Sequence, residues 1–448
     1  MAIWNTRPFN ELYAEPSKNG LMRPKSVRGV GYKMVNMGEL FAYNRIRNPE
    51  MDLVLMSETE KEKYSIKVGD LLFARQSLIA SGAGKCSVVL EAPELTTFES
   101  HIIRVRLDHT KAEPLFYYYY FSSPAGKNST QSLVMQVAAA GIRASELALL
   151  YVPCPPLPTQ RKIAAILSAY DDLIENNMRR IAILEEMAQS LYREWFVYFR
   201  FPGYEKNRMV ESALGMIPER WEVVKVSTAV HIDPSTRVPK EGEKPFVPMS
   251  SLVNDSMLID NIELRVGNSG SKFKNGDTLF ARITPCIENG KTGYVQFLPS
   301  DEDVAFGSTE FIVLRSKTLC PQYVYLLARS NDFRDNAIKS MSGASGRQRV
   351  QIACFDKFLI AQPDTGTLHK FEEQVSPLFR SIYILARKNT NLRRTRDLLL
   401  PKLISGEVDV EGLDIDIGEV MSTKDAGTEP VMDEEVVLAD EQKMTLWG

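Results

Sequence analysis

No apolar run in the 448 residues approaches the roughly 18 needed to cross a bilayer, and the start MAIWNTRPFNELYAE lacks a basic region followed by a hydrophobic stretch. Neither export nor membrane insertion is expected. Cysteine and histidine are scarce: Cys86, Cys154, Cys286, Cys320 and Cys354 form no CxxC pair, and His101, His109, His231 and His369 form no ligand-spaced cluster. This points to a reduced cytoplasm, without a disulfide framework or structural zinc. Catalytic signatures are also missing. GAGKCS (82–87) has Ile79 where a phosphate loop needs its first glycine and Cys86 after Lys85, while NGKT (289–292) has Pro285 at the glycine position. Both read as turns. Neither GxGxxG nor the Asp/Asn-Pro-Pro-Tyr/Phe tetrapeptide of amino-methyltransferases occurs, and the nuclease-like Asp433…Glu441-x-Lys443 sits in an acidic tail without a rigid scaffold. A Ser-His-Asp triad has no supporting spacing. The chain reads as non-catalytic and free of metal.

What is present suffices for more than one core, since the length is about three times a typical domain of roughly 150 residues. Apolar residues at 44% and charged residues at 25% exclude collagenous, disulfide-scaffold and largely disordered classes. The net charge of −3 is unevenly placed. Residues 411–448 hold eleven Asp/Glu against two Lys, a balance of −9, which leaves +6 on residues 1–410. The folded part is mildly basic, which permits nucleic-acid binding without proving it. The tail 411–448 is expected to be disordered.

The chain is written twice. KVGDLLFAR (67–75) recurs as KNGDTLFAR (274–282), an offset of 207. Val35 and Met37 match Val247 and Met249, Gly84-Lys85 matches Gly290-Lys291, HIIRVRL (101–107) resembles EFIVLRS (310–316), and Lys162-Ile163 matches Lys370-Phe371. Chance supplies one such match, not an ordered series. Each half has about 150 residues of short β-branched and aromatic segments split by Gly, Pro and Asn, then a long helical pattern. VGDLLFAR, SVVLEAP and HIIRVRL read as strands, SLIASGAG and ITPCIENG as loops, and PLFYYYYFSS (114–123) and PQYVYLLARS (321–330) as helices.

From Pro158 to Phe199 no Gly or Pro interrupts the pattern, which gives a helix of roughly 60 Å. Steps of 3.5 residues from Ile163 select Leu167, Tyr170, Ile174, Asn177, Ile181, Leu184, Ala188, Leu191 and Trp195. The same rule at offset 208 selects Phe371, Val375, Leu378, Ile382, Leu385, Asn389, Leu392, Arg396, Leu399 and Leu403. Two seams, each with one Asn that fixes register, predict an intramolecular antiparallel coiled coil; the competing reading makes each stripe the core face of its own domain. Pro377 and Pro401 predict that the second helix is bent or interrupted. After the first seam, REWFVYFRFPGY (193–204) offers Trp195, Phe196, Tyr198 and Phe199 as a docking surface for another subunit, against the alternative of a helix end packed on the next domain.

These pieces resemble the specificity subunits of type I restriction–modification systems. PPLPTQRKIAAILSAYDDLIENN (155–177) with SLYREWFVYF (190–199) is similar to the family's central region, and LRRTRDLLLPKLISGEVDV (392–410) to its distal one. The resemblance covers residues 1–410. QPDTGTLHKF (362–371) departs from PPLPTQRKI, and the acidic extension beyond Val410 is a second departure. The resemblance implies an α+β chain in which two β-rich mixed target recognition domains form a tandem pseudo-twofold repeat separated by two long antiparallel helices. The expected segments are a first recognition domain at 1–155, a central helix at 156–205, a second recognition domain at 206–362, a distal helix at 363–410 and the tail. It further implies a bipartite double-stranded DNA target, two methyltransferase subunits and added restriction or translocase subunits. S-adenosylmethionine, ATP and Mg would reside on those partners. DNA reading should come from loops presenting Arg, Lys, Gln and Asn. The candidates are Arg75, Gln76, Lys85 and Arg143 in the first half, and Arg282, Lys291, Arg347, Gln348 and Arg349 in the second. A tandem protein-interaction scaffold without DNA binding is the rival reading, and a self-sufficient nuclease or methyltransferase a third.

Overall fold

In the computed structural model, residues 4–136, 140–344 and 346–415 are described, and they divide between two compact units, the described residues up to 170 with those from 395 onward, and those of 171–394. The Asp433…Glu441 pattern lies outside the described residues. No described helix is long and apolar enough to cross a membrane.

The first unit is built on a five-stranded sheet in the order Tyr13–Asn19, Ile102–Leu107, Leu71–Ala74, Cys86–Glu91, Arg45–Arg47, antiparallel except at its last pair. Its strands alternate between two cores. Leu71, Phe73, Val88, Ile103 and Val105 face the helix Pro114–Ser122, whereas Leu72, Ala74, Val89 and Ile102 face Val35, Leu40 and Phe98. The first core also receives Ile163, Ala164 and Leu167 from the central helix (Leu157–Tyr192) and Leu400, Leu403 and Ile404 from the distal helix (Thr365–Ser405). Six consecutive aromatics, Phe116–Phe121, are buried around the helix of Pro114–Ser122, which explains why it carries no polar face.

That helix is capped by Glu113, whose carboxylate accepts from Leu115 N at 3.4 Å while its own N–H donates to Gln160 Oε1 at 2.9 Å. Burial pushes the Glu113 carboxyl up to about 7. A raised carboxyl favours the protonated folded state, so its contribution to stability is complete below about pH 4.5 and is lost as pH rises through about 7. The Glu113→Gln variant should therefore match the wild type near pH 4.5 and exceed it by on the order of 3 kcal/mol at pH 8. Urea denaturation across this range checks the slope.

The second unit repeats the plan. Its main sheet runs Val230–Ile232, Phe311–Ser316, Thr278–Ala281, Thr292–Tyr294, all antiparallel. In both units a side sheet holds a parallel pair beside the matched valines, with Val35 opposite Phe98 and Val247 opposite Gly307. The KxGD repeat now has a physical basis. Gly69 and Gly276 take positive φ (89° and 84°), turning the chain so that Asp70 and Asp277 accept the N–H of Lys67 and Lys274 at 2.7 and 2.8 Å. Each aspartate then takes a bidentate arginine: Arg106 at 2.8 Å on both oxygens of Asp70, Arg315 at 2.7 Å on both of Asp277.

Within the second unit the two long helices are antiparallel. Asn177 Nδ2 donates to Asn389 Oδ1 at 2.9 Å, and the Trp195 ring lies 5.6 Å from that of Phe371. Asn389 also reaches the Ile174 carbonyl at 3.4 Å. Three expectations need correction. The distal helix is continuous through Pro377 and Pro401, because both prolines sit on its exposed side and each removes only one main-chain bond, while Phe371, Val375, Phe379 and Ile382 pack on the other. The acidic extension is held at its start: Lys162 Nζ donates to the carbonyls of Glu411 and Leu413 at 2.6 and 2.8 Å. Lastly, Trp195 and Phe196 are buried, so they present no docking surface. Phe196 packs against Tyr323 and Phe371 at 4.6 Å and Trp221 at 5.7 Å, all within the same unit. Phe199 meets Trp221 at 5.3 Å, which leaves Tyr198 as the exposed member of the four.

Candidate nucleic-acid interface

Immediately after each KxGDxLFAR strand the chain enters a narrow three-segment ribbon. In the first unit Gln76 pairs with Gly141, which pairs with Met135. In the second, Ile283 bridges Arg349, which bridges Ser342. These are the same positions one repeat apart. The main-chain bonds agree: Ile142 N donates to Arg75 O and Val350 N to Arg282 O, both at 2.9 Å, while Arg75 N and Arg282 N donate to His101 O and Glu310 O at 2.8 and 3.0 Å. Two loop sets separated by about 65 residues in sequence are thus joined in each unit, Arg75 and Gln76 beside Arg143, and Arg282 beside Arg347, Gln348 and Arg349.

The nine candidate side chains fare differently. Arg143 is exposed, with a 3.8 Å ion pair to Glu146 that water weakens. Arg347 is exposed and makes no side-chain bond among the described residues, and Gln76 and Gln348 are half-buried. Arg75 donates to Ser100 O and Arg282 to Val350 O, each at 3.3 Å. Arg282 Nε is buried without a hydrogen-bond partner among the described residues, and the side chain lines a cavity of about 410 Å³ with Lys272, Thr236 and Thr309. Arg349 is forked onto Glu310 at 2.6–3.1 Å, so its charge is already matched.

Lys85 and Lys291 are corrected from reading residues to structural ones. Lys85 Nζ donates to Leu40 O at 2.5 Å and Phe41 O at 3.0 Å, and burial pushes the amine down to about 8. Lys291 Nζ donates to Met249 O at 3.1 Å. Each ties its own turn to the helical turn that follows Val35 or Val247, which is why both lysines stay in step with those valines.

Along the helices, the seam residues Ile163, Leu167, Ile174, Asn177, Ile181, Phe371, Val375, Ile382, Leu385 and Asn389 are buried, and Tyr170, Leu184, Leu191, Leu378, Leu392 and Leu399 half-buried. None faces open water. Sequence reasoning missed Asp70, Asp277, Arg106 and Arg315 as a linked set. A signal existed, because the two arginines recur at an offset of 209 beside aspartates recurring at 207.

Residues 24–186 match the profile of the type I restriction modification DNA specificity domain. The type I restriction enzyme MjaIX specificity subunit of Methanocaldococcus jannaschii is 26% identical over 353 residues, covering 75% of this chain and 78% of that protein. The EcoEI specificity subunit of Escherichia coli is 32% identical over 154 residues, 33% of this chain and 26% of that one. In fold, the chain is similar to the S subunit of a type I restriction–modification system from M. genitalium, with a TM-score of 0.55, 15% identity and coverage of 90% and 96%.

Proposed function

Because the chain belongs to the family of type I restriction–modification specificity subunits, we propose that it supplies DNA sequence recognition to such an assembly, its two units reading the two parts of a bipartite target. It acts without an active site of its own. The observation that carries this reading is the ribbon present in both units, which sets Arg75, Gln76 and Arg143 in one and Arg282, Arg347, Gln348 and Arg349 in the other around equivalent hydrogen bonds. Arginine and glutamine are suited to the task, since guanidinium forks match guanine and carboxamides match adenine in the major groove. Arg143 and Arg347, exposed and not forked onto a carboxylate as Arg349 is, suit phosphate or base edges alike.

Two methyltransferase subunits, carrying S-adenosylmethionine, would use this chain as their scaffold, and restriction or translocase subunits with ATP and Mg would join them. Chemistry then belongs to the partners and address to this chain. For the purified full chain on duplex DNA, affinity should fall steeply with salt, and the double variant Arg143→Ala/Arg347→Ala should lower the slope of log K against log salt by about two. Retention that is weak and unchanged between low and high salt would favour a protein scaffold without DNA contact. Co-expression with the cognate methyltransferase subunit, followed by adenine- or cytosine-methylation mapping, tests the assembly.

A further inference from the structure

We propose that Leu78 and Ile79, at the tip of the loop after the first unit's ribbon strand, form an apolar wedge that enters a base step of the bound DNA and bends it. This rests on the DNA-reading role above and extends it from contact to distortion. Leu78 is fully exposed and Ile79 is 71% exposed. Two adjacent aliphatic side chains held in water recover their hydrophobic free energy only when something covers them.

The tip is braced. Ser77 lies in the ribbon strand and its Oγ accepts from Ile79 N at 3.2 Å, while Gly82 N donates to Ile79 O at 2.9 Å. Phe41 closes the root from beneath: a Cβ on Gly82 would stand 3.1 Å from its ring and 2.4 Å from Ser77 Oγ. On the far side Gln131 donates to Ala83 O at 2.9 Å. A wedge so supported can push against a stacked base step instead of folding back.

Position selects DNA as the occupant. The tip follows Arg75 and Gln76 directly, and their strand pairs with Gly141, two residues before the exposed Arg143. The antiparallel register puts Arg143 behind Gln76, on the side away from the tip, so the apolar point projects ahead of the ribbon's cations and parts neighbouring bases of a duplex whose phosphates those cations meet. The equivalent loop of the second unit has no such pair. At the repeat offset of 207 it has Pro285 and Cys286, and the chain there winds into a turn closed by Asn289 N on Pro285 O at 3.0 Å and Lys291 N on Cys286 O at 3.1 Å. Bending should therefore be confined to the part of the target read by the first unit.

The probe is the duplex that the full chain recovers from a random-sequence pool, labelled at its ends with a donor and an acceptor dye and, in parallel copies, carrying 2-aminopurine at successive steps. The wild type should bring the ends closer and raise 2-aminopurine fluorescence at one step. Leu78→Ser/Ile79→Ser should straighten the duplex, abolish that signal and weaken binding roughly tenfold. Leu78→Met/Ile79→Leu should keep both signals, and all three proteins should share one melting curve because the side chains are exposed. Equal bending by the wild type and the serine variant, with both bound, overturns the wedge and leaves the reading role intact. So does a serine variant that bends DNA normally but no longer associates with methyltransferase subunits. A wild-type chain that recovers no duplex overturns the reading role itself.

Discussion

Asp277→Ala should lower the stability of the second unit by about 3–5 kcal/mol, and Asp70→Ala the first by a similar amount. Neither aspartate is accessible to water, and each holds three donors: a main-chain N–H of the KxGD turn and two guanidinium nitrogens. Removing the carboxylate frees the turn and strands a largely buried arginine. The cost comes from that stranded charge more than from the pair itself, since replacing a whole buried ion pair by apolar groups is often tolerated. Asp277→Ala/Arg315→Leu should therefore recover much of the loss. In the first unit Arg106 also meets Glu15 at 2.6 Å, as does Arg104 at 2.8 Å, and donates to Ser65 O at 3.1 Å, so the guanidinium keeps a carboxylate and a carbonyl there and Asp70→Ala should sit at the mild end. Denaturant melts of the four proteins decide it; a double variant no better than Asp277→Ala counts against the stranded-charge account.

Trp195→Ala should cost about 3–5 kcal/mol in the second unit, while Tyr198→Ala changes stability by less than about 0.5 kcal/mol. Trp195 is buried where the central helix passes into a π-helical turn, Arg193–Val197, and its ring faces Phe371 of the distal helix. Truncation opens a cavity in the cluster that includes Phe196, Trp221, Tyr323 and Phe371, and well-packed aromatics do not collapse into such a space. If methyltransferase association were lost from Trp195→Ala with its melting curve unmoved, Trp195 would be a docking residue after all.

What the sequence disclosed depended on the range of the interaction. Strands, turns and seams obey local periods, so 67–75 with 274–282 and the spacing from Ile163 to Trp195 could be read directly. Each seam showed one interior Asn, but the facing of Asn177 and Asn389, 212 residues apart, came only from the fold, because the repeat offset of 208 does not align them. Whether a cation is free depends instead on which carbonyl or carboxylate the fold brings to it. Lys85 and Lys291 resemble surface lysines in sequence, yet their partners, Leu40 and Met249, lie more than forty residues away. Arg349 is neutralised by Glu310, again a distant residue. The aromatic run at 193–204 misled for the same reason. An exposed aromatic and a buried one have the same composition, and only the arrival of Trp221, Tyr323 and Phe371 separates them.

The antiparallel pairing of the two helices also sets a timetable for the nascent chain. Trp195 leaves the ribosome some 176 residues ahead of Phe371, and Asn177 some 212 ahead of Asn389. At roughly 5–20 residues per second, the stripe from Ile174 to Trp195 has no partner helix for about 10–40 s of synthesis. During that interval an amphipathic helix with its apolar side uncovered is open to chaperones or to another such chain. The polar interruption of the stripe by Asn177, one step after Ile174, makes it less adhesive than an unbroken leucine stripe while it waits.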